Sequence, residues 1–444
     1  MPNKISLTND FPVIDKSNQL YSRAVGLIPS VTQTLAKGPG QWVNGIAPKY
    51  LAKGKGSHVW DVDGNEYIDF LMGVGPLSLG YSYQRVDEAI KKQLDDGITF
   101  SMMHPLEVEV AELMRDIIPN ADAVRYSKTG ADVTSAAIRL ARAYTGKNKI
   151  LCCGYHGWHD WYIAVTARNN GIPEAVQAIS YTFNYNDIDS VRSSIDDDVA
   201  AIILEPVVFE APKDNFLHKL ADLCDEKGIV LIFDEMWTGF RMALGGAQEY
   251  FGITPDLATY SKAVANGMPI SILTGKKKIM ELAEEDIFFY TTFGGEALSL
   301  AAVKATVAEI REKDVIKFLA AQGNKLKNGY NEIASKLGLD YTRMTGYDWR
   351  SVAQFDAKGG DPLVQKSLVQ QEMIKRGVLW QGFFNMSFSH SDTDVDYTLQ
   401  ALEQSLEVLK KAVEENRLKE YLIGLPVQPV FRKVDNFNMK PLKK

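Results

Sequence analysis

The sequence predicts an α/β fold with a mainly parallel central sheet, because strand-like and helical segments alternate through the middle of the chain. Short apolar runs typical of buried strands occupy residues 149–153, 199–204, 228–233, 257–260 and 270–274. Between the second and third of these runs, apolar side chains recur at helical spacing and Gly228 follows as a stop signal. This alternation indicates parallel strands with helices on both faces, so ligands are expected at the carboxyl ends of the strands.

The length of 444 residues allows more than one lobe with a large buried core. We predict an N-terminal segment at 1–75, a large central domain at 76–328 and a C-terminal part at 329–444. Helical patterns at 298–337 and 394–409 support this division. The two terminal parts are expected to build one smaller α+β domain, with the N-terminal segment covering the active site.

Composition argues against several classes of function. The net charge is -7 and Lys and Arg form no stripe, which argues against a nucleic-acid partner. No segment approaches the roughly 20 consecutive apolar residues of a membrane-spanning helix, and the first residues lack the apolar run of a signal peptide. The three cysteines are sparse and odd in number, which fits a reducing compartment, and we expect a cytoplasmic protein.

Two ionisable side chains follow consecutive predicted strands. Asp234 comes directly after the run 228–233, and Lys262 follows the run 257–260 after Ser261. The pattern therefore indicates a carboxylate and an amine at neighbouring strand ends. Such a lysine can form a Schiff base with an aldehyde cofactor, and the aspartate can keep a pyridine nitrogen protonated.

Small residues precede a helical pattern at 133–144. The stretch 126–132 reads Tyr-Ser-Lys-Thr-Gly-Ala-Asp, and small residues before a helix expose backbone N–H groups that attract an anion. An ordinary Thr or Asp N-cap explains the same residues. A cofactor phosphate at Thr129, Gly130 and Ala131 is favoured only because a candidate Schiff-base lysine lies downstream.

Aromatic and histidine side chains follow the predicted strand 149–153. Tyr155 can stack on a flat heteroaromatic ring. His156 and His159, with the neighbouring aspartate, could instead ligate a metal, but their spacing matches no standard zinc pattern, and we expect no metal. Trp158 and His159 are also explained as packing or pocket-wall residues.

Glu205 stands where a further strand is predicted to end. Its carboxylate can hydrogen-bond a cofactor ring substituent or pair with an arginine. Most glutamates are exposed, so a surface position explains it as well.

In this order, the motifs resemble the class III aminotransferases that depend on pyridoxal 5'-phosphate (PLP), and within them the glutamate-1-semialdehyde aminomutase branch. The segment 232–248, Ile-Phe-Asp-Glu-Met-Trp-Thr-Gly-Phe-Arg-Met-Ala-Leu-Gly-Gly-Ala-Gln, is similar to the part of those enzymes beside the cofactor nitrogen. The resemblance spans roughly residues 45–410 and implies a fold type I PLP-dependent transferase. The remaining matching motifs lie at residues 61–70, 136–142, 155–157, 254–257, 261–269 and 292–295.

The resemblance implies a role for each matching residue. Lys262 would bind PLP, Asp234 would contact its pyridine nitrogen, and Tyr155 and Met236 would lie on opposite faces of the ring. Members of the family are homodimers with shared active sites, which implies that Thr292 reaches the phosphate bound by the other subunit. The other implied cofactor contacts are Thr129, Gly130, Ala131 and Glu205. A non-catalytic PLP-binding protein is an alternative of another class, against which the presence of Lys262, Asp234 and Tyr155 argues.

Departures from the aminomutase pattern concern the substrate. Residues 30–34 lack the arginine that pairs with the substrate carboxylate in similar aminomutases, and residues 380–389 lack the glutamate and arginine expected of related enzymes. Neutral and aromatic side chains suit a polyhydroxylated substrate, although pocket-wall or core packing explains them as well. The candidate substrate residues are His104, Trp158, Gln381 and Asn385, with Arg168 or Arg23 for the donor carboxylate.

The whole chain, including the tail at 424–431, is similar to aminotransferases that form 8-amino-3,8-dideoxy-manno-octulosonate. This resemblance implies ping-pong transfer of an amino group from L-glutamate to the aldehyde of a sugar acid, with 2-oxoglutarate as the other product, for lipopolysaccharide assembly. The alternatives are intramolecular amine transfer of the glutamate-1-semialdehyde aminomutase type and ω-amino-acid aminotransfer.

Overall fold

The computed structural model describes residues 2–428, which form two compact units. The large unit contains residues 84–316, and the composite unit combines residues 2–83 with 317–428. The domain boundaries predicted after residues 75 and 328 remain a prediction. Residues 429–431 of the tail motif lie outside the described residues.

Strands and helices alternate along the large unit, and both ends of the chain contribute to the composite unit. The strands are β1 (Leu51–Lys55), β2 (His58–Asp61), β3 (Glu66–Asp69), β4 (Ala123–Ser127), β5 (Lys149–Cys153), β6 (Ser180–Thr182), β7 (Val199–Leu204), β8 (Val230–Asp234), β9 (Leu257–Tyr260), β10 (Ser271–Gly275), β11 (Thr342–Tyr347), β12 (Arg350–Phe355), β13 (Val378–Leu379) and β14 (Phe383–Asn385).

The α-helices are α1 (Asp15–Ala24), α2 (Gln84–Asp96), α3 (Pro105–Ile117), α4 (Gly130–Thr145), α5 (Asp160–Ile163), α6 (Glu174–Gln177), α7 (Ile188–Ser194), α8 (Phe216–Lys227), α9 (Ala247–Phe251), α10 (Lys277–Met280), α11 (Ala297–Glu312), α12 (Val315–Leu337), α13 (Pro362–Lys375), α14 (Asp392–Glu414) and α15 (Leu418–Tyr421). Short 3-10 helices lie at Pro29–Val31, Leu35–Lys37, Pro39–Gln41, Lys262–Ala265, Glu281–Ala283 and Ala357–Gly359.

The large unit is built on a seven-stranded sheet in the order β4-β10-β9-β8-β7-β5-β6. The strands from β9 to β6 pair in parallel, whereas β10 pairs antiparallel with both β9 and β4. This confirms the predicted mainly parallel sheet. The strand predicted at 228–233 begins and ends slightly later, as β8, and so includes Asp234 as its last residue.

Burial explains why these segments form the centre of the large unit. Every residue of β7, Val-Ala-Ala-Ile-Ile-Leu, is buried, as expected of a central parallel strand covered on both faces. Helix α4 packs on the sheet through an apolar face that includes Val133, Ala137 and Leu140. Helix α8 has the predicted bounds, and Gly228 closes it with a φ of +61°, a conformation that favours glycine.

The composite unit contains two smaller sheets, in the orders β1-β2-β3-β13 and β11-β12-β14. Strand β13 pairs in parallel with β3, and Val378 lies opposite Ile68. The N-terminal and C-terminal segments of the chain therefore share one sheet. Among the described residues, no helix is long and apolar enough to cross a membrane.

Candidate active site

Asp234 and Lys262 lie at the same edge of the large unit's sheet. Strands β8 and β9 pair in parallel, with Asp234 opposite Thr259. Lys262 begins the 3-10 helix that follows β9, and its φ of +47° is unusual for a residue with a side chain. The parallel pairing thus brings a carboxylate and an amine to adjacent strand ends, as the sequence pattern indicates.

The Asp234 carboxylate is almost completely shielded from solvent, with 1% of the residue exposed. Its Oδ2 lies 2.7 Å from Nδ1 of His156, and its Oδ1 accepts a hydrogen bond from the backbone N of Met236 at 3.1 Å. The His156 ring is buried too, and its Nε2 lies 3.1 Å from the carbonyl oxygen of Cys153. A buried carboxylate in this setting suits a ligand that brings its own N–H or positive charge.

The amine of Lys262 lies on an aromatic face. Its Nζ is 3.7 Å from the centroid of the Trp237 ring, and the guanidinium carbon of buried Arg241 lies 5.9 Å from the same ring. The indole ring of Trp237 therefore lies beside two cations, Lys262 after β9 and Arg241 on its own segment. An aromatic face in this position stabilises positive charge.

Two glycines bring the loop after β5 close to its neighbours. A side chain on Gly154 would lie 2.8 Å from Oε1 of Glu205, and one on Gly157 would lie 2.7 Å from Cβ of Ala131. Both glycines have φ near +110°, so other residues would be strained there as well. Oε1 of buried Glu205 accepts a hydrogen bond from the backbone N of Tyr155 at 2.8 Å, and the Tyr155 ring remains half exposed.

The first turn of α4 completes the site. Thr129 caps this helix, because its Oγ1 accepts a hydrogen bond from the backbone N of Asp132 while the Asp132 carboxylate accepts one from the backbone N of Thr129. The N-cap interpretation of Thr129 is therefore correct. The N–H groups of Gly130 and Ala131, in the first turn, have no carbonyl partner within the helix. Met236 packs against Gly130, where an added Cβ would meet its sulfur at 3.1 Å.

The site thus combines a lysine amine, a buried aspartate, a half-exposed aromatic ring and a helix N-terminus in one α/β unit. This is the set of groups that holds an aldehyde cofactor with a phosphate and a ring nitrogen, and it defines a fold type I PLP-dependent transferase.

Comparison with known proteins identifies the family. Residues 43–347 match the class III aminotransferase model, and the chain belongs to this family. It is 35% identical over 412 residues to the 3-aminobutyryl-CoA aminotransferase of Cloacimonas acidaminovorans (strain Evry), covering 89% of this chain and 98% of that protein. It is 38% identical over 416 residues to the glutamate-1-semialdehyde 2,1-aminomutase of Acetivibrio thermocellus, covering 87% and 96%.

A solved structure with a similar fold is that of the FumI protein of Sphingopyxis sp. MTA144 in its PLP internal aldimine form. The TM-score is 0.84 and the sequence identity 29%, and the match covers 92% of this chain and 99% of that chain. The protein is therefore a PLP-dependent enzyme of the class III aminotransferase and aminomutase family, which acts on small molecules.

The predicted substrate residues are divided between the two units. His104 caps α3, with its Nδ1 accepting a hydrogen bond from the backbone N of Leu106 at 3.2 Å. Trp158 is 69% exposed and packs edge-on against His159, and Arg168 is exposed. These three residues belong to the large unit.

Gln381 and Asn385 belong to the composite unit and are buried there. Gln381 Nε2 donates to the carbonyl of Ala36 at 3.0 Å, and Asn385 Nδ2 donates to the carbonyl of Leu71 at 3.0 Å. Both amides hold backbone in place, and their substrate role remains a prediction.

His156 and Trp237 are the site residues whose position the sequence did not reveal. From the residues alone His156 is a weak candidate metal ligand, and the resemblance places it in a matching motif without a role. The structure places it against Asp234, whereas His159 bonds Ser135 Oγ at 2.7 Å. Within the described residues no group of three or more His, Cys, Asp or Glu side chains is arranged to hold a metal. Two signals are available for His156. It lies in the matching motif at 155–157, and it lies between Gly154 and Gly157, which indicates a tightly packed loop.

Proposed function

We propose that the enzyme transfers an amino group from L-glutamate to the aldehyde of a sugar acid, forming 8-amino-3,8-dideoxy-manno-octulosonate for lipopolysaccharide assembly. The observation that supports this acceptor is the absence of arginine from residues 30–34 and 380–389, where related enzymes bind a substrate carboxylate. Gln381 and Asn385 in the latter segment are neutral amides. A site without that arginine favours a substrate whose reacting end carries hydroxyl groups.

The residues of the large unit fit PLP, and each would have a defined task. Lys262 would attach to the cofactor, Asp234 would face the ring nitrogen, and Tyr155 and Met236 would contact the ring. The phosphate would be held by Thr129, Gly130 and Ala131 at the start of α4, and Glu205 would fix the loop that carries Tyr155. When bound, PLP supplies an aldehyde for covalent attachment and a ring that withdraws electrons from the substrate carbon.

Lys262 and Asp234 would then perform the proton chemistry. The neutral amine at Lys262 Nζ would remove the proton from the amine-bearing carbon of L-glutamate and would return a proton in the opposite half-reaction. Asp234, held by His156, would keep its negative charge directed at the ring nitrogen and so keep that nitrogen protonated. The two half-reactions would alternate, which gives ping-pong kinetics.

An exposed apolar surface on the large unit supports a homodimer. Four large apolar side chains are exposed here, the most exposed being Met103 at 81%. Phe100 and Met103 precede α3, whereas Tyr290 and Phe293 precede α11. The two segments are joined by a hydrogen bond from the backbone N of Ala297 to the carbonyl of Ile98 at 3.0 Å. Exposed large apolar side chains on adjoining segments are typical of a protein interface. Thr292 lies exposed within this surface, which suits its proposed reach to the other subunit's phosphate.

Subunit complementation tests the shared site. A Lys262→Ala chain and a Thr292→Ala chain are each expected to form impaired homodimers. Mixed dimers would contain one site with both Lys262 and Thr292 intact, and activity should recover on mixing. Sedimentation velocity should show a dimer for all chains. A monomeric wild-type enzyme, or dimers without recovery, would contradict the shared site.

The aminomutase alternative is favoured by the 38% identity to the A. thermocellus enzyme. One assay separates the two reactions. The enzyme is incubated with L-glutamate and the C8 aldehyde of 3-deoxy-manno-octulosonate, and 2-oxoglutarate and the aminated sugar are quantified. Glutamate-1-semialdehyde is offered in parallel. We expect 2-oxoglutarate and amino sugar in equal amounts. Conversion of the semialdehyde to 5-aminolevulinate without sugar amination would overturn the proposal.

A further inference from the structure

The composite unit contains a cavity of about 460 Å³, enough volume for a small organic ligand. Its lining includes four aromatic rings, those of Tyr21, Trp42, Tyr50 and Tyr81. The two cations in the lining are Lys37 and Lys49, and the one acidic residue is Asp69. All of these residues belong to the composite unit.

Lys49 is a partly buried cation without a carboxylate partner among the described residues. Its Nζ donates to Oδ1 of Asn18 at 2.8 Å and lies 5.3 Å from the centroid of the Tyr21 ring. Burial lowers the pKa of Lys49 from its usual value. A charged amine whose one hydrogen bond here goes to a neutral amide oxygen gains a charge-assisted hydrogen bond when an anion approaches.

The Asp69 carboxylate accepts its hydrogen bonds from groups other than these lysines. Its Oδ1 accepts a hydrogen bond from the backbone N of Leu71 at 2.8 Å, and its Oδ2 accepts from the backbone N of Met72 and the hydroxyl of Tyr81 at 3.2 and 2.7 Å. Burial raises the pKa of this carboxyl group, although the hydrogen bonds and the charge of Lys37 act to lower it. The carboxylate is thus engaged by three donors, and the lining carries two cations against this one acid.

Cations beside aromatic rings define the chemistry of the ligand. Ammonium groups bind carboxylates as point charges, while tyrosine hydroxyls donate and accept hydrogen bonds. The flat faces of Trp42 and the tyrosines offer apolar surface to a ring-shaped body. A carboxylate attached to a hydroxylated ring matches all three features.

We propose that this cavity binds a carboxylated sugar, with Lys37 and Lys49 as its carboxylate-binding groups. The inference rests on the proposed function, in which the amino acceptor is a sugar acid. It deepens that proposal by naming the cations that hold the sugar's carboxylate in an enzyme whose residues 30–34 and 380–389 contain no arginine.

Calorimetric titration of the PLP-loaded enzyme with 3-deoxy-D-manno-octulosonate, in the absence of amino donor, tests the inference. Loss of one charged contact should weaken binding about 10-fold in Lys37→Met and in Lys49→Met, and further in the double variant. Lys37→Arg and Lys49→Arg should retain binding. Lys53→Met is the matched control, because Lys53 lies outside the cavity, 4.7 Å over the Trp60 ring. Thermal unfolding checks that each variant is folded.

Two outcomes overturn the inference: no binding of the sugar acid by the wild type, or equal binding by the wild type and the folded double variant. Steady-state assays with the sugar aldehyde separate this result from failure of the proposed function. If the wild type aminates the aldehyde and the double variant keeps the same KM, only the cavity assignment fails. If the wild type aminates no sugar but binds the acid through both lysines, only the proposed reaction fails.

Discussion

Nδ1 of His156 lies 2.7 Å from Oδ2 of Asp234, and both side chains are shielded from solvent. The imidazole is fixed at its other nitrogen by the carbonyl of Cys153 at 3.1 Å. Its backbone is fixed as well, because the hydroxyl of Thr134 on α4 donates to the carbonyl of His156 at 2.8 Å. The orientation of the Asp234 carboxylate is therefore set by the loop after β5 and by α4, not by β8 alone.

His156→Phe should lower turnover about 10- to 100-fold, because it removes a hydrogen bond of about 1.5–3 kcal/mol from a buried charged group. His156→Asn can still donate an N–H and should lose less. Turnover and the equilibrium affinity for PLP are both measured. His159→Phe serves as control, since His159 bonds Ser135 and not Asp234. Equal effects of the Phe and Asn variants would show that the hydrogen bond to Asp234 does not matter.

Trp237→Leu should shift the pH midpoint for covalent attachment of PLP to the apoenzyme downward by about half a pH unit. The indole face, 3.7 Å from Lys262 Nζ, favours the charged amine by roughly 0.5–1 kcal/mol, and only the neutral amine attacks an aldehyde. Trp237→Phe keeps a smaller ring and should shift less. PLP is mixed with the apoenzyme at a series of pH values, and the absorbance gives the pH midpoint for attachment. Trp158→Leu removes an exposed indole and should leave the pH midpoint unchanged. An unshifted midpoint in Trp237→Leu would show that the indole does not stabilise the charged amine of Lys262.

Local patterns allowed much of the large unit to be predicted. The observed bounds of α8 and β9 are those predicted, because apolar runs, helical spacing and a terminating glycine are encoded within a few residues. The sheet-edge positions of Asp234 and Lys262 follow from the same reasoning, since parallel strands end at one edge.

Contacts between distant segments could not be predicted in this way. His156 and Asp234 are 78 residues apart, and a histidine in a loop can face a carboxylate, a metal or solvent. The pairing of β13 with β3 likewise joins opposite ends of the chain. The contact between Trp237 and Lys262 depends on how two loops pack, and neither residue's local pattern encodes it.

In the Glu235→Gln variant, the stability of the folded protein should fall less with rising pH than it does in the wild type. Burial raises the pKa of Glu235 to about 7 in the folded protein, against an ordinary value of 4.5, although Thr238 and the backbone N–H groups of Ala247 and Gln248 donate to it. Glu235 therefore holds its proton more tightly in the folded protein than in the unfolded chain. The stability that comes from this difference is fully present below pH 4.5 and is lost as pH rises through about 7. Glutamine cannot ionise, so thermal unfolding of this variant should decline less than the wild type's between these pH values.

The control for that comparison is Glu249→Gln, which changes an exposed glutamate in α9. It should follow the wild-type pH profile. Identical profiles for Glu235→Gln and the wild type would show that Glu235 does not take up a proton in this range.

His58→Gln should destabilise the composite unit by about 1 kcal/mol at mildly acidic pH and by less at alkaline pH. His58 on β2 lies 3.1 Å from Asp394 on α14 and 3.1 Å from Glu66 on β3. The hydrogen bond to Asp394 raises the pKa of His58, although burial acts to lower it. The stability contributed by protonated His58 is therefore fully present below its ordinary pKa of 6.5 and is lost as pH rises through the raised pKa. Burial lowers the pKa of neighbouring His390 to about 4, which keeps His390 neutral in this range. Chemical unfolding at several pH values measures the difference between the variant and the wild type, and a difference that grows with pH would refute the charged pairing.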